Sequence, residues 1–135
     1  WPISSYGDHY YQEKDDSRLD LSPLEKSHKK KGFIEPIKYF VPSVGISEIT
    51  EIPKKFTNSN SLQFIVGTMG TAKRIKDGML SLYFFEYDNS NNKIKNEKLI
   101  PIKSRVRDIK YLSKHNSVVM FLETNSTLGI LKQKN

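Results

Sequence analysis

The sequence predicts an all-β domain, and three observations lead there. From residue 62 onward, short runs rich in β-branched and aromatic residues follow one another at near-regular spacing. Gly, Asn, Asp, Ser and Lys residues separate them as turns. No stretch places its apolar residues at the 3.6-residue period of an amphipathic helix of any length. Short antiparallel strands at this spacing suit a sandwich, a barrel or a propeller, and spacing alone does not choose among the three.

Taken in order, residues 1–32 are rich in Ser, Asp, Tyr, Lys and Gly and read as a long irregular connection. The texture changes at Phe33. In FIEPIKYFVPSVGISEITEI, Pro36 and Pro42 exclude a helix running through them, so extended pieces and turns are expected. Strands are then predicted over LQFIVGTM (62–69), MLSLYFFEYD (79–88) and NEKLIPI (96–102), with DNSNN (Asp88 to Asn92) as a hairpin turn. A second set follows: VRDIKYLS (106–113), SVVMFLET (117–124) and TLGILKQ (127–133). The expected architecture is one four-stranded antiparallel sheet from about Phe33 to Ile102 and a second, incomplete sheet after Arg105. Val118, Met120 and Leu122 are expected on an exposed apolar strand face of that second sheet.

Composition narrows the function classes. The 135 residues, 36% hydrophobic and 11% aromatic, are enough to build a core. There is no cysteine, hence no disulfide, thiolate metal site or thiol nucleophile. No apolar run approaches the roughly 20 residues of a membrane helix, and the N-terminus carries no signal segment. The chain starts at Trp1 in mid-pattern, which leads us to expect a fragment of a longer protein. Twenty-two Lys and Arg against fifteen Asp and Glu give a net charge of +7. Much of it sits in KSHKKK (Lys26 to Lys31), which lacks the interleaved aromatics of a base-stacking platform and is read as a solvated loop rather than a polyanion site.

In SRVRDIKYL (Ser104 to Leu112), two arginines, Arg105 and Arg107, stand two positions apart. In an extended chain such residues point to the same side, so both guanidinium groups would face one place. Either an anion sits there, or the pair is a structural one with Asp108 or simply exposed. Of the three histidines, His9, His28 and His115 fall in a connection, a lysine run and a hairpin turn, and none has a partner spacing that suggests a metal site or a catalytic pair. The acidic stretch EKDDSRLD (Glu13 to Asp20) lacks the glycine and terminal glutamate of an EF-hand loop and reads as solvated. Tyr6, Tyr10 and Tyr11 suit either a sugar entrance or the packing of a long loop.

The order of WPISSYGDHY, EPIKYFVPSVGISEI, LQFIVGTM with the aromatic strand LYFFEYD, SRVRDIKYL and SVVMFLET resembles the C-terminal part of the soluble quinoprotein sugar dehydrogenases, the glucose/sorbosone dehydrogenase family. The resemblance runs over nearly the whole chain. Its most specific pieces are the aromatic-Pro start with YGxxY, the VPS element before a strand, and the RxRD element opening the last set of strands. It implies a six-bladed β-propeller that binds pyrroloquinoline quinone (PQQ) with calcium and oxidises aldose sugars or similar alcohols and aldehydes. On that reading, residues 33–102 form one blade, residues 103–135 part of the closing blade, and 1–32 the connection before them.

The resemblance also implies roles for particular residues. Arg105 and Arg107 match the arginines that contact the cofactor, and planar guanidinium groups suit its three carboxylates. Ser43 matches a small hydroxyl residue beside the cofactor, against an ordinary turn role next to Pro42. Lys73 is the nearest candidate for a lysine that stabilises the reduced quinone, with Arg74 or Lys76 as alternatives because GTAKRIKDG is longer than the family's usual turn. The family's catalytic histidine and calcium ligands lie in earlier blades, so no catalytic or metal-binding residue is expected here. The resemblance implies a periplasmic or secreted enzyme with a small-molecule sugar substrate and an electron acceptor, no nucleic-acid partner and no membrane span, and it is compatible with a homodimer. Two alternatives remain beside the enzyme: a propeller of the same family that has lost catalysis and binds a protein or glycan, and a basic β-domain for a polyanion.

Overall fold

A computed structural model describes Ser4, Tyr6, residues 27–57 and residues 59–133. The chain divides into two compact units, Trp1–Ser43 and Val44–Asn135. In the first, residues 29–31 make a single 3-10 turn closed by Gly32 in the left-handed conformation (φ 78°), and no strand forms among residues 27–43. The Val41–Pro42 peptide bond is cis.

The second unit holds seven strands. β1 (Ile46–Ile52), β2 (Leu62–Thr68), β3 (Ser81–Asp88) and β4 (Lys93–Pro101) form a four-stranded antiparallel meander. β5 (Val106–Leu112), β6 (Ser117–Leu122) and β7 (Thr127–Lys132) form a three-stranded one. The all-β class and the division into two successive sheets agree with the sequence. Strand pairing starts later than the expected boundary at Phe33, because Pro36 and Pro42 remove ladder donors and the next residues turn through Gly45.

Turn chemistry sets the registers. In the β3–β4 hairpin the Asp88 carboxylate accepts the backbone N–H groups of Ser90 (3.1 Å) and Asn91 (3.3 Å) and the side-chain amide of Asn91 (2.9 Å). Asn92 then takes the left-handed conformation that the reversal needs. The β5–β6 and β6–β7 connections repeat one another. Each is a 3-10 turn, Ser113–His115 or Glu123–Asn125, ended by a left-handed residue, Asn116 or Ser126. Between β1 and β2, Pro53 opens a single helical turn, α1 (Lys54–Thr57), which buries Phe56 edge-on against Tyr111 at 6.0 Å.

The core lies between the two sheets. Ile52, Ile65 and Leu82 from the first meet Val106, Ile109, Val118 and Met120 from the second, with Phe84, Ile100, Leu122 and Leu131 packed around them. The even-numbered residues of β6 therefore face inward. This corrects the expected exposure of Val118 and Met120, both fully buried, and of Leu122, which is half-buried against the core. With a period of two along a strand, one buried set forces the other set outward. The exposed apolar residues are Phe121, Leu128 and Ile130, where the β6–β7 register pairs Phe121 with Leu128 and Val119 with Ile130.

Two features lock the sheets together. The Ser47 hydroxyl donates to the Val106 carbonyl, and the Thr50 hydroxyl donates to the Ile109 carbonyl at 2.9 Å. Gly67 of β2 leaves room for this approach: a Cβ there would lie 2.7 Å from the Ser47 hydroxyl and 2.9 Å from a Val106 methyl.

Candidate anion-binding site

β5 opens with an irregularity that positions the two arginines. Its register with β6 runs from Val106 opposite Leu122 to Asp108 opposite Phe121, so Arg107 is an extra residue, a β-bulge. Val106 and Ile109 both enter the core while Arg107 and Asp108 both stay outside. Arg105 precedes the strand, and its backbone is clasped to the β6–β7 turn. Its carbonyl accepts from the Glu123 N–H at 2.9 Å, its N–H donates to the Thr124 hydroxyl at 3.4 Å, and the buried Ser104 hydroxyl accepts from the Thr124 N–H at 3.2 Å.

Both guanidinium groups converge on one carboxylate. Arg107 Nε donates to Glu123 Oε2 at 2.5 Å, and Arg105 Nη1 lies 3.6 Å from Glu123 Oε1. Arg105 Nε also donates to the Gly70 carbonyl at 3.2 Å, which ties the arginine pair to the β2–β3 connection. The side chains are 45% exposed for each arginine and 35% for Glu123, so the cluster sits at the surface. Electrostatics follow the geometry. The hydrogen bond from Arg107, reinforced by the charges of both arginines, holds the Glu123 carboxyl below the usual glutamate range. The same bond raises the affinity of Arg107 for its proton.

Two arginines facing one place was the expectation, and the anion there is supplied by the chain itself. Asp108, the alternative structural partner, is exposed and takes no part in this cluster. Glu123 was missed by sequence reasoning, because only the register that sets Val106 opposite Leu122 brings Glu123, the next residue out, to Arg105.

The other residues singled out lie as follows. Lys73 is exposed on the 3-10 segment Ala72–Asp77, three residues beyond the Gly70 carbonyl that Arg105 holds. Arg74 is bound to Asp77 at 2.9 Å, and Lys76 is exposed. Ser43 ends the first unit and is exposed, whereas the arginines and Lys73 belong to the second. Tyr6 stacks on Tyr39 (ring centroids 4.1 Å apart) and donates its hydroxyl to Glu35 at 2.5 Å. His28 is hydrogen-bonded to the Ser4 hydroxyl at 2.5 Å, and His115 stands exposed in the β5–β6 turn. His9, Tyr10, Tyr11 and the acidic stretch Glu13 to Asp20 lie outside the described residues. Among the described residues no three His, Asp or Glu side chains converge as a metal-ligand group, and no helix is long and apolar enough to cross a membrane.

Comparison with known protein families, with curated proteins and with solved structures finds no match for this chain.

Proposed function

We propose that this chain is the C-terminal part of a PQQ-dependent quinoprotein sugar dehydrogenase built as a β-propeller, and that Arg105 and Arg107 grip the cofactor through its carboxylates. The observation that carries the reading is the convergence of both guanidinium groups on a carboxylate at the open end of β5. A guanidinium has five N–H donors in a fixed fork. The contacts to Glu123 and Gly70 use Nε and Nη1 of Arg105 and Nε of Arg107, which leaves donors of the right type for a further anion. Two successive antiparallel meanders, the first with four strands in sequence order, are the arrangement that propeller blades require.

PQQ, when bound, would supply a quinone that accepts a hydride, and with it both electrons of the oxidation, from the sugar. The chain's own residues orient it and offset its charge. Arg105 and Arg107 fix two-point carboxylate contacts at a surface held rigid by the Ser104–Thr124 clasp. Lys73 contributes a cation from the connection that Arg105 anchors. On this reading the catalytic base and the calcium ligands reside in the earlier blades, the substrate is an aldose or a similar alcohol or aldehyde, and the protein works in the periplasm or outside the cell.

Glu123 favours a second reading, a propeller of the same family without catalysis that binds a protein or glycan. There, the arginines serve as a latch between β5 and the β6–β7 turn, and no cofactor is held. PQQ titration of the full-length protein separates the two. On the enzyme reading, Arg105→Ala and Arg107→Ala each weaken PQQ binding by about tenfold to a hundredfold. Lysine at either position recovers only part, because it lacks the bidentate geometry. Lys30→Ala, in the lysine run, leaves the affinity unchanged. Equal affinities across these variants would favour the second reading.

A further inference from the structure

We infer that Arg105 is a positioning residue as well as a ligand contact: its bond to the Gly70 carbonyl fixes the β2–β3 connection at a glycine hinge, and Lys73 reaches the bound carboxylates only while that bond is made. The step that concerns Lys73 rests on the cofactor reading above; the tie itself does not. The Arg105 guanidinium is held from two sides. Its Nε donates to the Gly70 carbonyl at 3.2 Å and its Nη1 lies 3.6 Å from Glu123 Oε1, so one planar group spans the β2–β3 connection and the β6–β7 turn. Among the described residues, the Arg107 side chain bonds to Glu123 alone.

The connection is a cap closed by its own bonds. The Arg74 N–H donates to the Thr71 carbonyl (3.1 Å) and the Met79 N–H to the Arg74 carbonyl (3.3 Å), while the Gly78 N–H donates to the Ile75 carbonyl (3.0 Å). The Thr71 N–H donates to the Met79 sulfur at 3.3 Å, and Arg74 pairs with Asp77. Its far end is anchored: Gly78, Met79 and Leu80 are buried, and the Thr68 hydroxyl donates to the Gly78 carbonyl at 2.7 Å. Among the described residues, 71–77 take no hydrogen bond from outside 70–79. The near end differs. Gly70 has φ 93°, in the left-handed region, and a Cβ there would run into the Met79 sulfur, so only glycine fits. Glycine restrains its own dihedrals least, and the Arg105 bond falls on its carbonyl. Lys73 follows three residues on and is exposed, so rotation at Gly70 carries it toward or away from the arginines. The backbone bonds of Arg105 to Glu123 and Thr124 do not involve its side chain, so Arg105→Ala removes the tie and leaves the clasp.

Native-state amide hydrogen exchange of the full-length protein without cofactor tests the tie. In Arg105→Ala the amides of Thr71, Arg74 and Met79 should exchange about twofold to tenfold faster than in wild type, the loss of one hydrogen bond. Arg107→Ala removes the same charge from the same cluster and should leave those amides at the wild-type rate. Titration of PQQ tests the consequence. Lys73→Gln should weaken binding about tenfold in the wild-type background and less than about twofold in Arg105→Ala. Wild-type exchange in Arg105→Ala, or equal acceleration in both arginine variants, overturns the tie. An equal factor for Lys73→Gln in the two backgrounds overturns the coupling. A wild type that binds no PQQ overturns the cofactor reading and the Lys73 step with it, while the exchange comparison decides the tie on its own.

Discussion

Glu123 is the residue on which the candidate site turns, and its protonation sets a measurable pH dependence. Its folded-state pKa lies below the ordinary glutamate value, chiefly through the Arg107 hydrogen bond. Its contribution to stability is therefore fully present above the unfolded-state pKa, about 4.3, and is lost as pH falls through the lower folded value. Urea midpoints of wild type and Glu123→Gln, followed against pH, should differ by a small constant amount near neutrality and converge on the acid side. A gap that widened with acid would contradict the pairing. The residue types at the site were legible in SRVRDIKYL, since two arginines at i and i+2 of an extended segment face one place, which made a shared anion one of the readings beside a pair with Asp108 or plain exposure. The identity of the nearest anion was not, because it depends on a cross-strand register fixed by a bulge at Arg107 and by the length of the β5–β6 turn.

At the scale of elements, the bulge, the glycine at the sheet contact and the buried strand face do most of the positioning. Gly67→Ala should destabilise the protein by roughly 1–3 kcal/mol, because a Cβ would push against the Ser47 hydroxyl and the Val106 methyl and part the two sheets. Chemical denaturation checks this, and a neutral effect would mean that β5 shifts freely. Leu82→Ala, in the fully buried core, should cost about 2–5 kcal/mol. Strand positions were legible because β-branched and aromatic runs alternate with Asn, Asp, Gly and Ser turns, as in the Asp88 hairpin. The inward face of β6 was not. SVVMFL is apolar on both sides, so periodicity cannot decide whether the even or the odd residues are buried, and the first sheet decides it by covering Val118 and Met120.

At the scale of the whole molecule, the two meanders bury one face of the second sheet and leave the other apolar. Phe121, Leu128 and Ile130 are 41%, 70% and 61% exposed, and among the described residues β7 pairs only with β6. Such a strand edge with an apolar face invites association. The isolated 135-residue chain should therefore unfold at a temperature that depends on protein concentration, and Leu128→Ser should reduce that dependence. Sharp, reversible and concentration-independent melting would count against the view that further blades complete this sheet.

The central claim is that Arg105 and Arg107 hold a ligand's carboxylate and do more than latch Glu123. The most direct measurement is a calorimetric titration of PQQ into the full-length protein and its Arg107→Ala and Glu123→Gln variants. If the arginines hold the cofactor, Arg107→Ala weakens binding by about tenfold to a hundredfold, while Glu123→Gln, which removes a competing carboxylate, binds at least as tightly as wild type. If the cluster is only a structural latch, neither substitution changes the PQQ affinity, or both weaken it equally, and that result would contradict the claim.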